Sequence, residues 1–398
     1  MSLPLEGIRI LDLTRMIAGP FGSMILADQG ADVIKIEMPE TGDPERAAGT
    51  PDEFVLGEGL HFLSVNRNKK SVTLDLKRPE AREVFYDLVK VSDVVFDNFR
   101  PAVMAKLGCD YEKLNKINPR IICCSLSGFG STGPYRDRPA WDVAIQGMGG
   151  VMSVTGEKGG RPLRVGFAIG DTVPSLWSVI GILTALQGRE KTGKGSYVDL
   201  GMLDCLSSLL IYYTTRYTAT GFVPPLLGGR HINVSPWGSY RTRDNFIVLG
   251  VPGDQAWGRF CPALGLHDLE KDPRFYTNNK RVENAEELTV ALEAFLTTND
   301  TAHWLNLLQD VDVVCSPVHS VDRVVSDPQI VARDMIVEVE HPVIGKYRMM
   351  GNPIKGTMIP KQRLESPPIL GEDTKEVLSG LLGYSEEKIE SLRASKAV

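Results

Sequence analysis

Residues 7–37 read GIRILDLTRMIAGPFGSMILADQGADVIKIE, and the spacing of apolar and turn-forming residues in this stretch sets the fold class. Ile8–Leu13 is a short apolar run of the kind buried inside a parallel sheet. Gly19-Pro20 opens a helix over Pro20–Gln29, since proline is tolerated in a first turn whose N–H groups have no helical acceptor. Gly30 closes that helix, and Asp32–Glu37 supplies the next strand. Strand, crossover helix and strand form a βαβ unit, the connection that parallel neighbours require. The alternation continues outward through Ser71–Leu76, a helix from Pro79 to about Lys90, and strands at Val94–Phe96 and Ile121–Leu126. These predict an α/β fold with a mainly parallel sheet, helices on both faces, and ligands bound off the carboxyl ends of the strands.

The 398-residue chain is long for one hydrophobic core, so two domains are expected. Hydrophobic residues make up 42% and charged residues 24%, the balance of a folding chain and far from that of a disordered one. A net charge of -6 offers no basic field for nucleic acid. The opening Met1-Ser2-Leu3-Pro4 lacks the basic and apolar regions of a secretory signal, and Val173–Leu186 and Cys205–Tyr213 fall short of the roughly 18–20 apolar residues that span a bilayer. A cytoplasmic protein without a membrane partner is the expectation. Cysteines at 109, 123, 124, 205, 261 and 315 form no C-x-x-C pair, and the histidines show no helical pairing. No metal site is expected.

Near Gly221–Gly229 the composition turns rich in glycine and proline, marking a boundary. A strand at Phe246–Leu249 and amphipathic helices near Asn284–Leu296 and Thr301–Gln309 follow, before short strands return at Ile336–Val339 and Tyr347–Met350 and a polar helical tail begins near Asp373. The expected organisation is a discontinuous large domain, residues 1–225 and 326–398, with a smaller α+β domain, residues 226–325, inserted in it.

Two motifs fail on context. Gly128-Phe129-Gly130-Ser131-Thr132-Gly133 matches the dinucleotide fingerprint, but Pro134 and Pro139 follow where a helix must start. Gly188 to Lys194 nearly matches a P-loop, yet Gly195 stands in place of the magnesium-binding hydroxyl, and the run follows a helix rather than a strand.

Gly170-Asp171 precedes a long apolar helix over Ser175–Gln187. Asp171 is therefore placed to cap that helix. The same position suits a nucleophile, because amides at a helix start keep a carboxylate ionised and can stabilise an oxyanion, and Gly170 leaves room for a substrate. Spacing alone leaves both readings open.

Several segments, in order, resemble the family III CoA-transferases, the group that contains formyl-CoA and carnitine-CoA transferases. They are the opening stretch through Arg15, Ala18-Gly19-Pro20 and Glu37; Asn66-Arg67-Asn68-Lys69-Lys70-Ser71; Asp97-Asn98-Phe99-Arg100-Pro101; Gly128-Phe129-Gly130; Gly170-Asp171; Glu190 to Gly195; Asp327-Pro328-Gln329; and Gly383-Tyr384-Ser385. The match covers essentially the whole chain. It implies a Rossmann-like large domain, an interlocked homodimer, and Asp171 as the nucleophile that carries first the acyl group and then CoA. Carried residue by residue, CoA contacts fall on Ile17, Ala18, Asn98, Phe99 and Lys106, while Lys69 and Lys70 suit phosphates by charge. Gly228, Gly229 and His231 match a mobile active-site loop, and Trp141 falls in the substrate site. CoA and acyl-CoA are substrates in this reading, and no cofactor is held permanently.

Two positions depart from the formyl-CoA transferase pattern. Ile17 replaces a glutamine and Met38 an arginine, so oxalate is expected to be a poor acceptor. The main alternative activity is that of an α-methylacyl-CoA racemase. Such enzymes pair the aspartate matching Asp171 with a histidine in a Gly-His-Asp segment, one removing the α-proton and the other returning it, where this chain has Ala140-Trp141-Asp142, and an indole is no base. A non-catalytic CoA-binding protein is a third reading, against which the retained Asp171 speaks.

Overall fold

A computed structural model describes residues 2–357 and 364–398. The chain divides into two compact units, residues 1–151, 165–215 and 332–398 in the first and residues 152–164 and 216–331 in the second. The boundary thus departs from that expected at 225/226 and 325/326. The Gly/Pro-rich stretch belongs wholly to the second unit, where Gly228 N–H donates to the Gly156 carbonyl at 2.8 Å. Residues 152–164 carry no compositional cue that would have assigned them there.

In the first unit, six parallel strands, β1 Arg9–Asp12, β2 Asp32–Glu37, β3 Lys69–Thr73, β4 Val94–Asp97, β5 Ile122–Ser127 and β6 Tyr197–Gly201, lie in the order β3-β2-β1-β4-β5-β6. Side chains alternate across the sheet, so that neighbours in sequence enter different cores. Leu11, Ile34, Val72, Val95 and Cys123 pack with Val84, Phe85 and Leu88 of the helix Pro79–Lys90 and with Val377, Leu378, Ile389 and Leu392 of the C-terminal segment. Ile10, Val33, Val94, Phe96 and Ile122 pack on the other face against Leu26 of the helix Ala18–Asp28 and Ile182 and Leu186 of the helix Ile169–Thr192. The third strand begins two residues earlier than the sequence suggests and ends at Thr73. Its outer edge is covered: Asp373 accepts from Ser71 N–H at 2.8 Å and Thr374 Oγ1 from Thr73 N–H at 3.1 Å, which removes a free strand edge.

The helix Ile169–Thr192 has 24 residues and, contrary to the sequence expectation, is long and apolar enough to cross a membrane by length and composition. Its inner face is part of the sheet's packing, and buried Arg189 reaches Asp93 at 2.9 Å. Gly193 ends it with φ 70°, so the near P-loop is a helix C-cap. Gly128–Gly133 leads into turns, and the next helix begins only at Asp142.

The second unit is built on a three-stranded antiparallel sheet, Trp237–Arg241, Phe246–Gly250 and Val314–Pro317. Ile247, Leu249 and Tyr240 pack there against Trp257, Phe260, Leu292 and Trp304.

Candidate active site

The site of the first unit lies at the carboxyl ends of β1 and β4. Past β1 the chain turns sharply through Thr14–Ile17, and a set of buried charges fixes that turn. Asp12 accepts from Thr14 N–H at 2.9 Å, Ser23 Oγ at 2.6 Å and Lys69 Nζ at 3.1 Å. Lys35 donates to the Thr14 carbonyl at 2.7 Å and pairs with Asp43 at 2.9 Å, while Asp43 accepts from Met16 N–H at 3.1 Å. Met16 is held at φ 63°, a left-handed conformation unusual for a side chain of this size. A Cβ at Gly19 would sit 2.2 Å from that of Thr14, so only glycine lets the following helix start here.

From β4, the Asn98 amide clasps the backbone of Arg15 in both directions, at 2.9 and 2.8 Å. Asp97 Oδ1 accepts from Phe99 N–H at 3.1 Å and sets the Phe99 ring 4.8 Å from the Arg15 guanidinium. Burial pushes Asp97 up to about 6, although the Ser125 hydroxyl and that N–H hold it down.

Asp171 is not the helix cap expected from the sequence. The helix begins at Ile169 with Ala168 before it, so Asp171 stands in the first turn. Ser175 Oγ uses the Asp171 backbone carbonyl at 2.8 Å, and among the described residues no group donates to the Asp171 carboxylate. Nor does the helix keep it ionised in the ordinary acidic range. Burial, with repulsion from Asp142 and Glu45, pushes it up to about 7. Gly170 opens no room for substrate either: a Cβ there would lie 2.8 Å from the Asp142 carbonyl, and the Asp142 carboxylate takes Gly170 N–H at 2.8 Å. Gln146, fully buried, joins Asp142 at 2.8 Å to Val165 N–H at 2.8 Å, tying down the approach to Asp171.

Asp171 lines a cavity of about 580 Å³ together with Ile17, Ala18, Asn98, Phe99 and Trp141. Five of the residues singled out in the sequence are thus brought beside the nucleophile candidate, although Asn98 spends its amide on Arg15 and Trp141 is 63% exposed. A second cavity of about 320 Å³ shares Arg15, Phe99 and Val103 with the first and adds Met38, Leu74 and Lys77. Lys106 is exposed on the helix Ala102–Leu107, whose Val103 lines both cavities.

Other placements differ from expectation. Lys69 is sealed inside the protein against Asp12, Asn66 and the Pro20 carbonyl, out of reach of a phosphate. Lys70 pairs with Asp32 at 3.2 Å and lines neither cavity. Gly228, Gly229 and His231 belong to the second unit, in which His231 lines a cavity of about 340 Å³ with Arg230 and Glu286.

Four arginines that no sequence motif marked as site residues line the Asp171 cavity: Arg15, Arg100, Arg136 and Arg138. Arg15 and Arg100 sit inside quoted motifs, and Arg136 and Arg138 lie between two prolines noted only as helix breakers. Glu45, in a charged turn without a motif, lines the cavity as well. A half-buried carboxylate in a cavity lined by several arginines suits chemistry on an activated acyl group carried by an anionic handle.

The sequence profile described as "CoA-transferase family III" matches residues 5–374. A succinyl-CoA:glutarate CoA-transferase of Mus musculus is 36% identical over 99% of this chain and 90% of its own length. An acetyl-CoA:oxalate CoA-transferase of Acetobacter aceti is 38% identical over 92% of this chain and 93% of its own. Among solved structures, a CAIB/BAIF family protein from Brucella suis superposes with a TM-score of 0.87 at 37% identity, over 96% of this chain and 100% of that one.

Proposed function

The chain belongs to CoA-transferase family III, and on that premise we propose that it moves CoA from an acyl-CoA to a free carboxylic acid through covalent intermediates on Asp171. The observation that carries this reading is a half-buried carboxylate without a donor among the described residues, in a cavity also lined by arginines. In the first step a carboxylate oxygen of Asp171 attacks the donor thioester carbonyl, the C–S bond breaks, and CoA leaves as thiolate from a mixed anhydride. The thiolate then attacks the aspartyl carbonyl, releasing the donor acid and leaving CoA as a thioester on Asp171. The acceptor carboxylate attacks this thioester to form a second anhydride. Finally CoA thiolate takes the new acyl group and frees Asp171. The two cavities joined at Arg15 and Phe99 suit an extended ligand, with acyl chemistry at Asp171 and the nucleotide end toward Met38, Leu74 and Lys77. Keeping water from the anhydride is the main demand on the apolar wall formed by Met16, Ile17 and Ala18.

Ile17 brings no polar group to that wall, which supports an acceptor larger or more apolar than oxalate, each buried methylene contributing about 0.8 kcal/mol. Trp141 stands where a racemase needs a histidine, so α-proton exchange is not part of this reading. Leu176, Ile180 and Leu183, with Trp177, are exposed along one side of the helix Ile169–Thr192. Such a stripe favours burial against a second copy, in line with a homodimer. The test is a transfer screen of succinyl-CoA and acetyl-CoA against a panel of carboxylic acids, read by mass. New acyl-CoA products that need both substrates are expected. Thioester hydrolysis alone, or α-proton exchange of a 2-methylacyl-CoA at the rate of transfer, would overturn the assignment.

A further inference from the structure

Asp43, Glu45 and Arg46 place three charges within four residues, and two of them are engaged in holding the chain. Asp43 pairs with Lys35, and Arg46 forms two bonds to Glu37, each at 2.8 Å. Glu45 is different. It is only 3% exposed yet lines the Asp171 cavity, and its Oε2 meets His61 Nδ1 at 3.0 Å. The other ring nitrogen of His61 meets Glu53 at 3.1 Å, so the imidazole is held between two carboxylates and holds Glu45 in place. Glu45 Oε1 has no protein partner among the described residues. Repulsion from Glu45 is one of the influences that raise Asp171, which puts it within electrostatic reach of the reacting end.

An oxygen on a side chain this little exposed, held by His61 and opening on the cavity, is an acceptor waiting for a donor. A second carboxylate would bring like charge beside Glu45 and Asp171, whereas a hydroxyl would satisfy the oxygen without that repulsion. Building on the transferase reading, we infer that Glu45 is a specificity-determining residue that accepts a hydrogen bond from the hydroxyl of a hydroxy-substituted carboxylic acid. Selection follows from the cost of an unsubstituted acid: it leaves a buried carboxylate oxygen facing apolar substrate atoms.

Matched pairs of acids test this: propionate with 3-hydroxypropionate, and butyrate with 3-hydroxybutyrate. Dissociation constants are measured by calorimetry on the full-length enzyme with CoA present, and kcat/KM is measured with a fixed acyl-CoA donor. The wild type is expected to favour the hydroxy acid on the order of tenfold, as for a hydrogen bond to a charged group. Glu45→Ala brings that ratio close to one. Glu45→Gln, isosteric and still able to accept, lowers it several-fold and serves if the alanine variant does not fold. A wild-type ratio near one, or a ratio that Glu45→Ala leaves intact, would overturn the inference. So would a loss in Glu45→Ala confined to the KM for acyl-CoA, since the oxygen would then serve a pantetheine N–H. Should the wild type bind the acids but transfer CoA to none of them, the transferase reading fails, and the dissociation constants still decide the role of Glu45.

Discussion

Asp12, at the end of β1, and Asp171, in the first turn of the helix Ile169–Thr192, are carboxylates withdrawn from water within the same unit, and their surroundings drive them in opposite directions. Burial alone would raise Asp12, but the ammonium groups of Lys69 and Lys35 and the hydroxyls of Ser23 and Thr14 outweigh it and bring it to about 2. Burial also raises Asp171, and its charged neighbours, Asp142 and Glu45, add to the rise rather than oppose it, so it reaches about 7. An acid surrounded by donors ties the fold together. One buried beside other acids costs stability, and such a cost is kept where chemistry needs a reactive oxygen. The two are linked in space: the turn fixed around Asp12 carries Arg15–Ala18, which line the cavity that holds Asp171.

The comparison breaks most visibly if the two aspartates are exchanged for asparagine one at a time. Asp171→Asn should lower transfer on the order of 10⁴-fold while the protein stays folded, as expected for loss of a nucleophile. Its effect on stability runs the other way. The folded-state value lies above the ordinary 3.8, so wild-type stability falls as pH rises from about 4 through 7. The variant should therefore melt higher than wild type at pH 8 and show no such gain at pH 4, read by scanning calorimetry. Asp12→Asn should leave the Lys69 ammonium buried without its counter-charge and cost about 3–5 kcal/mol in denaturant titrations at pH 7. Since Asp12 lies below its ordinary value of 3.8, that deficit should shrink as pH falls from about 4 toward 2.

Smaller effects sharpen the contrast. The kcat/KM for acyl-CoA should rise about tenfold per pH unit and level off above about 7, following ionisation of Asp171. Arg15 lines both cavities, and no ion pair engages it among the described residues. Arg15→Met should raise the KM for acyl-CoA about tenfold with little change in kcat, as for loss of a charge-assisted contact made equally in ground and transition states. Smallest of all, Glu45→Gln should move the inflection of the pH profile down by a few tenths of a unit, because one of the like charges near Asp171 is gone.

Much of this was legible in the sequence. The βαβ reading of residues 7–37 succeeds because burial on both faces leaves apolar strands, and glycine and proline mark the helix between them. Asp171 and five of its cavity neighbours could be named because their motifs recur together in one family. What failed, failed for want of tertiary information. Lys69 and Lys70 look alike in sequence, but alternation along β3 sends one inward to Asp12 and the other outward to Asp32. Asp171 reads as a cap because Pro174 suggests a helix start near it, whereas the helix begins five residues before that proline. Glu45 gave no signal, since a glutamate in a charged turn has the same sequence whether it faces solvent or a cavity.

The central claim is that Asp171 becomes covalently loaded, and the most direct test is to trap it. Wild-type enzyme is incubated with acyl-CoA without an acceptor acid, treated with hydroxylamine, digested and analysed by peptide mass spectrometry. The expected result is a hydroxamate on Asp171, dependent on acyl-CoA and absent from Asp171→Asn. A hydroxamate on Glu45 or Asp142, or an unmodified Asp171 in enzyme that is actively transferring CoA, would contradict it.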